Sequence, residues 1–294
     1  MTTVDAAIGP TRPETLCTES YASGLIYRNA SQPFTTVDLS TLTTMKQTAT
    51  ALLRTIIVVP LFLFYTFVNA AIIVVYGTFR PASPVHDWIV KRWSYFFLKI
   101  PPVRFTIEGS HNVDPTQRYV VVANHLSMFD IPMLFLTIPL HGRFLSKKEV
   151  FRVPLVGRAM RTIGIIEIDR SSGQSSRQAI NKGVQLAAER GYSLIVFPEG
   201  TRSQDGNLLP FKKGAFRIAI DNGLPILPVV LEGTDRVSRP GSKLFYAGEA
   251  SATILEPIVT SNMTNRDDLT TLMRTVEASM TTIYEEKHRV AADR

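Results

Sequence analysis

The sequence holds a single cysteine, Cys17, among 294 residues. No disulfide can therefore close within the chain, and a reducing compartment suits it. Five scattered histidines (His86, His111, His125, His141 and His288) form no spaced Cys/His set of the kind that holds zinc. A Gly-x-Ser-x-Gly elbow, the usual setting of a nucleophilic serine, is missing too. Acidic residues are in deficit, 25 against 32 basic ones, for a net charge of +7. That surplus selects anionic partners: nucleic acid, a lipid headgroup surface or a phosphorylated substrate. No recognisable nucleic-acid module accompanies the charge, which argues against the first.

What is present starts with a 45% apolar content, enough for a substantial core. Residues 1–50 are rich in Ser and Thr without a sustained period, the pattern of a flexible tail. The run from Thr55 to Phe79, between Arg54 and Arg80, carries no charged residue. As a helix it is about 37 Å long, sufficient to cross the hydrocarbon layer. Pro60 and Asn69 permit a kink, so a re-entrant or interfacial helix is an alternative. A buried helix of a soluble core is opposed by the length. Asp87 to Ile100 then brings Trp88, Trp93, Phe96 and Phe97 together with Lys91, Arg92 and Lys99 at helical spacing. This suits a helix in the headgroup layer or one packed on the domain. Residues 51–100 are expected to anchor the chain in a membrane.

From residue 101 to 294 strand and helix patterns alternate, which predicts an α/β domain with a mixed, largely parallel sheet flanked by helices. Strands are expected at 103–108, 119–123, 143–146, 162–168, 193–197, 226–231 and 252–255. Helices are expected at 131–137, 149–161, 174–190, 213–222 and 266–287, the last with an apolar face of Leu269, Leu272, Met273, Val276, Met280 and Ile283.

Two blocks carry chemistry. Asn124-His125-Leu126-Ser127-Met128-Phe129-Asp130 follows the apolar run Tyr119–Ala123. A neutral imidazole can take a proton from a hydroxyl, and a carboxylate on its other nitrogen fixes the tautomer. Five residues is not a same-face helical spacing, so His125 must lie in the turn and Asp130 at the helix start. Ser127 is best explained as a local cap. A surface histidine beside an N-cap aspartate is the plainer alternative. The second block, Phe197-Pro198-Glu199-Gly200-Thr201-Arg202-Ser203, also follows a strand. Its glycine lets backbone approach a ligand, and Arg202 suits forked contact with phosphate. Arg170 ends another predicted strand, and Lys147, Lys148, Lys212 and Lys213 can add positive potential.

These blocks resemble the lysophosphatidic acid acyltransferases, within the wider glycerolipid acyltransferases. Asn124-His125-x4-Asp130 is similar to the family's catalytic motif and Gly164–Arg170 to its second. Phe197–Arg202 matches the third, and Leu224-Pro225-Ile226-Leu227-Pro228-Val229 resembles the fourth. The likeness spans about residues 85–260, and Glu167 departs from the apolar or aromatic residue more usual there. It implies transfer of an acyl chain from acyl-CoA or acyl-carrier protein to 1-acylglycerol 3-phosphate, giving phosphatidic acid. His125 and Asp130 would be catalytic, and Arg170, Glu199, Gly200, Thr201 and Arg202 would bind the acceptor. No metal or resident cofactor is implied. The expected partners are the bilayer, a lysophospholipid acceptor and an acyl thioester donor, with the catalytic domain on the cytoplasmic side. The rivals are the same chemistry on another lysolipid or glycerol 3-phosphate, and a non-catalytic lipid-binding protein of the same fold.

Overall fold

Val- and Ile-rich runs buried on both sides form the centre of a seven-stranded sheet, ordered β3-β9-β8-β4-β7-β5-β6. The computed structural model describes residues 25–27, 35–37, 39–81, 83–139, 141–168, 183–187, 189–264 and 266–292. The strands are β3 (Val103–Glu108), β4 (Val120–Ala123), β5 (Gly142–Lys147), β6 (Ile166–Ile168), β7 (Ser193–Val196), β8 (Ile226–Glu232) and β9 (Gly248–Ile254). All pairings are parallel except that of β8 with β9. The expected mixed, largely parallel α/β sheet is what forms.

Alternation along β4 fixes its two faces. Val121 and Ala123 join a core with α2 (Pro84–Lys99) and α3 (Asp130–Thr137), whereas Val120 and Val122 join one with α5 (Gly214–Asp221) and α7 (Arg266–Ala292). The apolar face foreseen on the last helix is packed through Leu269, Leu272, Val276 and Met280.

The chain divides into two units, Met1–Thr48 and Ala49–Arg294. In the first, β1 (Leu25–Tyr27) and β2 (Thr35–Val37) pair antiparallel within the stretch expected to be tail. Helix α1 is longer than its apolar run, spanning Leu39–Phe79. Its polar approach lacks Gly and Pro, and Thr48 and Thr55 return their hydroxyls to the carbonyls of Thr44 and Ala51. Pro60 is accommodated inside this single helix.

The region expected to give a helix at 149–161 and a strand at 162–168 is divided differently. A 3₁₀ turn at Val150–Arg152 precedes α4 (Val156–Ile163), and strand pairing begins only at Ile166. Pro154 and Leu155, at φ 64°, break the helix, and Gly164, at φ 88°, ends α4 in the left-handed conformation. The departing residue Glu167 faces outward and pairs with Arg161 at 2.9 Å. Of the helix expected at 174–190, residues 174–182 and 188 lie outside the described residues, while 183–187 are helical.

Within the second unit, α1 buries one stripe, including Ala51, Val58, Ala70 and Ile73. Phe62 packs between Trp93 and Phe97, and Trp93 Nε1 donates to Thr66 Oγ1 at 2.9 Å. Both ends of the apolar run touch the α/β domain. Arg54 donates to the Phe245 carbonyl, and Gly77 sits so close to Thr162 that a Cβ there would lie 2.3 Å from its methyl. Leu53, Ile56, Ile57 and Phe64 stay exposed. Among the described residues, Leu42–Phe79 is the one stretch long and apolar enough to cross a membrane.

An ion pair between a buried arginine and a partly buried aspartate fastens α2. Ser83 caps the helix, Pro84 opens it and Asp87 sits in its first turn. Asp87 contacts the Arg143 guanidinium at 2.6 Å and His141 at 2.6 Å. Arg143 is 2% exposed, donates to the carbonyls of Ile163 and Gly142, and lies 3.8 Å above the Tyr192 ring. Removing one partner leaves a buried charge uncompensated, whereas replacing both by apolar groups often costs little. Asp87→Ala is expected to lose about 3 kcal/mol of stability, and Asp87→Ala/Arg143→Met less than the single variant. Thermal denaturation in detergent checks the order of the two.

Candidate active site

The ends of the parallel strands β4, β7 and β8 deliver the site's loops to one edge of the sheet, where such folds commonly bind ligands. As β4 leaves the ladder, the fully buried side chain of Asn124 replaces the missing rung. Its Nδ2 donates to the Leu231 carbonyl at 2.8 Å, and its Oδ1 accepts from Leu231 N at 2.7 Å. That bridge lets the backbone turn while staying attached to β8.

His125 follows in the turn and Asp130 begins α3, as the spacing required. His125 Nδ1 lies 2.7 Å from Asp130 Oδ2. The same oxygen accepts from the amides of Leu126 and Ser127 at 2.7 and 2.8 Å. A carboxylate is an acceptor only, so Nδ1 carries the proton and Nε2 is left as the basic nitrogen. Asp130 is fully buried, while the His125 side chain is 16% exposed. Ser127 Oγ accepts from Phe129 N at 3.2 Å, which closes a local turn ahead of α3 and does not cap it, since the N-cap residue Phe129 has no side-chain cap bond. The imidazole is stacked on Phe197, with centroids 3.9 Å apart and planes at 11°.

The second loop grips the first. Glu199 is 2% exposed, and its two oxygens accept from His125 N at 2.7 Å and Leu209 N at 2.9 Å. Ser203 N donates to the His125 carbonyl at 2.9 Å. Both backbone polar groups of the histidine are thus held by residues of the 197–203 block. Family likeness suggests Glu199 as an acceptor ligand; in this structure its carboxylate is committed to joining two loops. Burial is the largest influence on this group. Against the pull of the two amides, and helped by the charge of Asp130, it raises the carboxyl from 4.5 to about 7.

Gly200 adopts φ 74°, and a Cβ there would lie 2.6 Å from Lys212 Nζ. The left-handed conformation is the reason for glycine here, since the flexible end of Lys212 could move aside. Thr201 and Arg202 are exposed beside it. Lys213 is drawn towards Thr270 on α7, at 3.5 Å, and Lys147 is exposed at the end of β5. Arg170 lies outside the described residues. Among the described residues, no three His, Cys, Asp or Glu side chains gather as a metal site requires. Sequence reasoning passed over Phe197 as a ring partner and Thr234, which donates its hydroxyl to Asp130 Oδ1. Phe197 stood within a quoted motif; Thr234 stood in none.

Residues 104–232 match the family profile described as Acyltransferase. The chain is 34% identical over 185 residues to 1-acyl-sn-glycerol-3-phosphate acyltransferase alpha of Mus musculus, covering 63% of this chain and 65% of that one. Against the 1-acyl-sn-glycerol-3-phosphate acyltransferase of Saccharomyces cerevisiae it is 36% identical over 181 residues, or 60% and 59% of the two chains. The crystal structure of the 1-acyl-sn-glycerophosphate (LPA) acyltransferase PlsC from Thermotoga maritima superposes with a TM-score of 0.65 at 28% identity. That match covers 80% of this chain and 98% of the other. In sequence and fold the chain is similar to the lysophosphatidic acid acyltransferases. It spans less than two thirds of the length of the curated relatives it matches.

The raised carboxyl of Glu199 sets a direction for stability against pH. Folding favours its protonated form, so its stabilising contribution is complete below the unfolded value of 4.5 and is lost as pH rises to about 7. Glu199→Gln cannot titrate there. Thermal midpoints across that interval are expected to fall more steeply for the wild type than for the variant, and parallel slopes would remove Glu199 as the source.

Proposed function

We propose that this chain transfers an acyl group from a thioester donor to the free hydroxyl of 1-acylglycerol 3-phosphate, forming phosphatidic acid. The observation that carries this reading is the 2.7 Å contact between His125 Nδ1 and a fully buried Asp130, beside the loop bearing Arg202. His125 Nε2 takes the hydroxyl proton as the acceptor oxygen attacks the thioester carbonyl. A C–O bond forms, and the resulting imidazolium is stabilised by Asp130. Collapse of the tetrahedral intermediate breaks the C–S bond, and the departing thiolate takes the proton back from Nε2. The chemistry uses no protein nucleophile and draws on no resident metal or cofactor. Acyl-CoA and acyl-carrier protein both supply the required thioester.

Gly200, Thr201 and Arg202, with Arg170, are proposed to receive the acceptor's glycerol phosphate. Arg provides the forked donor geometry that phosphate favours, and the Gly200 backbone has no side chain to obstruct approach. Glu199 serves this site through the loop it holds.

The apolar face of α1 supports membrane association, where both acceptor and product reside. Arg54 and Gly77 mark the ends of a segment about 35 Å long, and each touches the α/β domain. A helix flanked by its own domain along that length is better suited to lying in the interfacial plane than to crossing the bilayer. We place the catalytic domain on the cytoplasmic side. Retention through a high-salt wash with release by detergent is the expected fractionation; release by salt alone would fit a basic adaptor instead.

The test is an acyl-transfer assay on detergent-solubilised protein, with labelled oleoyl-CoA and lysophosphatidic acid, glycerol 3-phosphate, lysophosphatidylglycerol or no acceptor. Phosphatidic acid is expected only from lysophosphatidic acid. His125→Ala should abolish it while leaving folding and membrane retention intact. Product from another acceptor would change the substrate assignment. Absence of product with both CoA and carrier-protein thioesters would overturn the enzymatic reading, and unchanged activity in His125→Ala would overturn the base.

A further inference from the structure

Thr234 stands outside every motif considered above, yet it reaches the centre of the site. It is fully buried at the start of the short helix α6 (Thr234–Val237), immediately after β8. Gly233 before it adopts φ 83°, and a Cβ there would lie 2.3 Å from the carbonyl oxygen of Glu249. Only glycine fits that corner, so the chain has little freedom in where it presents the next residue. Because β8 pairs in parallel with β4, its end arrives beside the His125 loop. There the Thr234 hydroxyl donates to Asp130 Oδ1.

The division of labour on Asp130 is uneven. Oδ2 collects three donors, from His125 Nδ1, Leu126 N and Ser127 N. Among the described residues, Oδ1 has Thr234 alone. Without that hydroxyl, one oxygen of a fully buried carboxylate would have no donor, a costly state in a low-dielectric interior. The hydroxyl also closes the last rotational freedom of the carboxylate about its χ2 bond. With both oxygens engaged, Oδ2 must remain on the imidazole.

We infer that Thr234 is a positioning residue for the base, holding Asp130 in the orientation that keeps its Oδ2 on His125 Nδ1. This rests on the acyl-transfer reading for its kinetic consequences but not for its geometry. Loss of the donor should misplace the carboxylate and weaken its support of the imidazolium. It should also change the proton affinity of His125. Asp130 is bonded to this imidazole at Nδ1 and Phe197 lies on its ring face, while Glu199 accepts from the backbone amide of His125. Glu199 and Phe197 are common to all the variants below, so differences report on the Asp130 contact.

The experiment compares Thr234→Val, which keeps shape but removes the donor, with Thr234→Ser, which keeps the donor. Thr234→Val is expected to lower kcat about ten- to hundredfold, the range for a hydrogen bond to a charged group, with KM altered less than about twofold, since uniform substrate binding is untouched. Thr234→Ser should return most of the rate. In parallel, histidine-specific ¹⁵N NMR in detergent follows the His125 imidazole, which needs no turnover. Its titration midpoint is expected to move in the valine variant and to return in the serine variant. A valine variant with wild-type kcat and an unmoved midpoint overturns the proposal. Equal impairment of valine and serine variants also overturns it, because packing rather than the hydroxyl would then be responsible. Should wild type show no acyl transfer while the NMR pattern holds, the functional reading fails and the positioning role stands. If Thr234→Val does not fold, Thr234→Ser and Thr234→Ala carry the same comparison.

Discussion

The burial of one carboxylate organises the site. Asp130 has no exposed surface, and a charge in that position persists only if its lone pairs are filled. The chain fills them from three directions: the turn after β4 supplies two amides, His125 supplies an imidazole N–H, and the far end of β8 supplies a hydroxyl. Each donor is thereby fixed by the acid it satisfies. The orientation of the imidazole is a consequence of solving this desolvation problem.

Glu199 performs a second joining with the opposite polarity of cause. Asp130 positions a side chain, whereas Glu199 positions backbone, accepting from the amides of His125 and Leu209. The Leu209 loop is itself tied to α7, since Glu277 accepts from Phe211 N and Tyr284 donates to the Gly206 carbonyl. The C-terminal helix is therefore linked to the His125 backbone through the 206–211 loop and Glu199. With only amides to offset its burial, Glu199 retains its proton more readily than an ordinary carboxyl.

The sequence made the central strands legible because both their faces are buried and their apolar runs are uninterrupted. His125 and Asp130 were singled out with the help of the family resemblance, since their spacing alone also fits a surface histidine beside an N-cap aspartate. Other features depended on contacts remote in sequence. Thr234 is one threonine among many until the parallel pairing of β4 and β8 brings it to Asp130. Asp87 and Arg143 are ordinary surface charges in a linear reading, and their pairing follows from the docking of α2. The early start of α1 was hidden because Ser- and Thr-rich composition suits a tail as well as a helix that satisfies its hydroxyls internally. The break at Leu155 was obscured because a non-glycine residue at φ 64° gives no local signal beyond the preceding proline.

The site also separates its charges in a way that bears on function. Among the described residues, neither Asp130 nor Glu199 has a Lys or Arg among its hydrogen-bond partners; amides, a hydroxyl and the imidazole satisfy them. Arg202, Lys147 and Lys212 are instead exposed at the strand ends. Had the buried acids been neutralised by these cations, an anionic ligand could bind only by displacing them and leaving a carboxylate uncompensated. With the acids already satisfied by neutral donors, a phosphate arriving at the rim can pair with the cations without disturbing the carboxylate that supports His125. Anion binding at the rim and the Asp130–His125 contact are thus separable, although the loops that carry them are joined through Glu199.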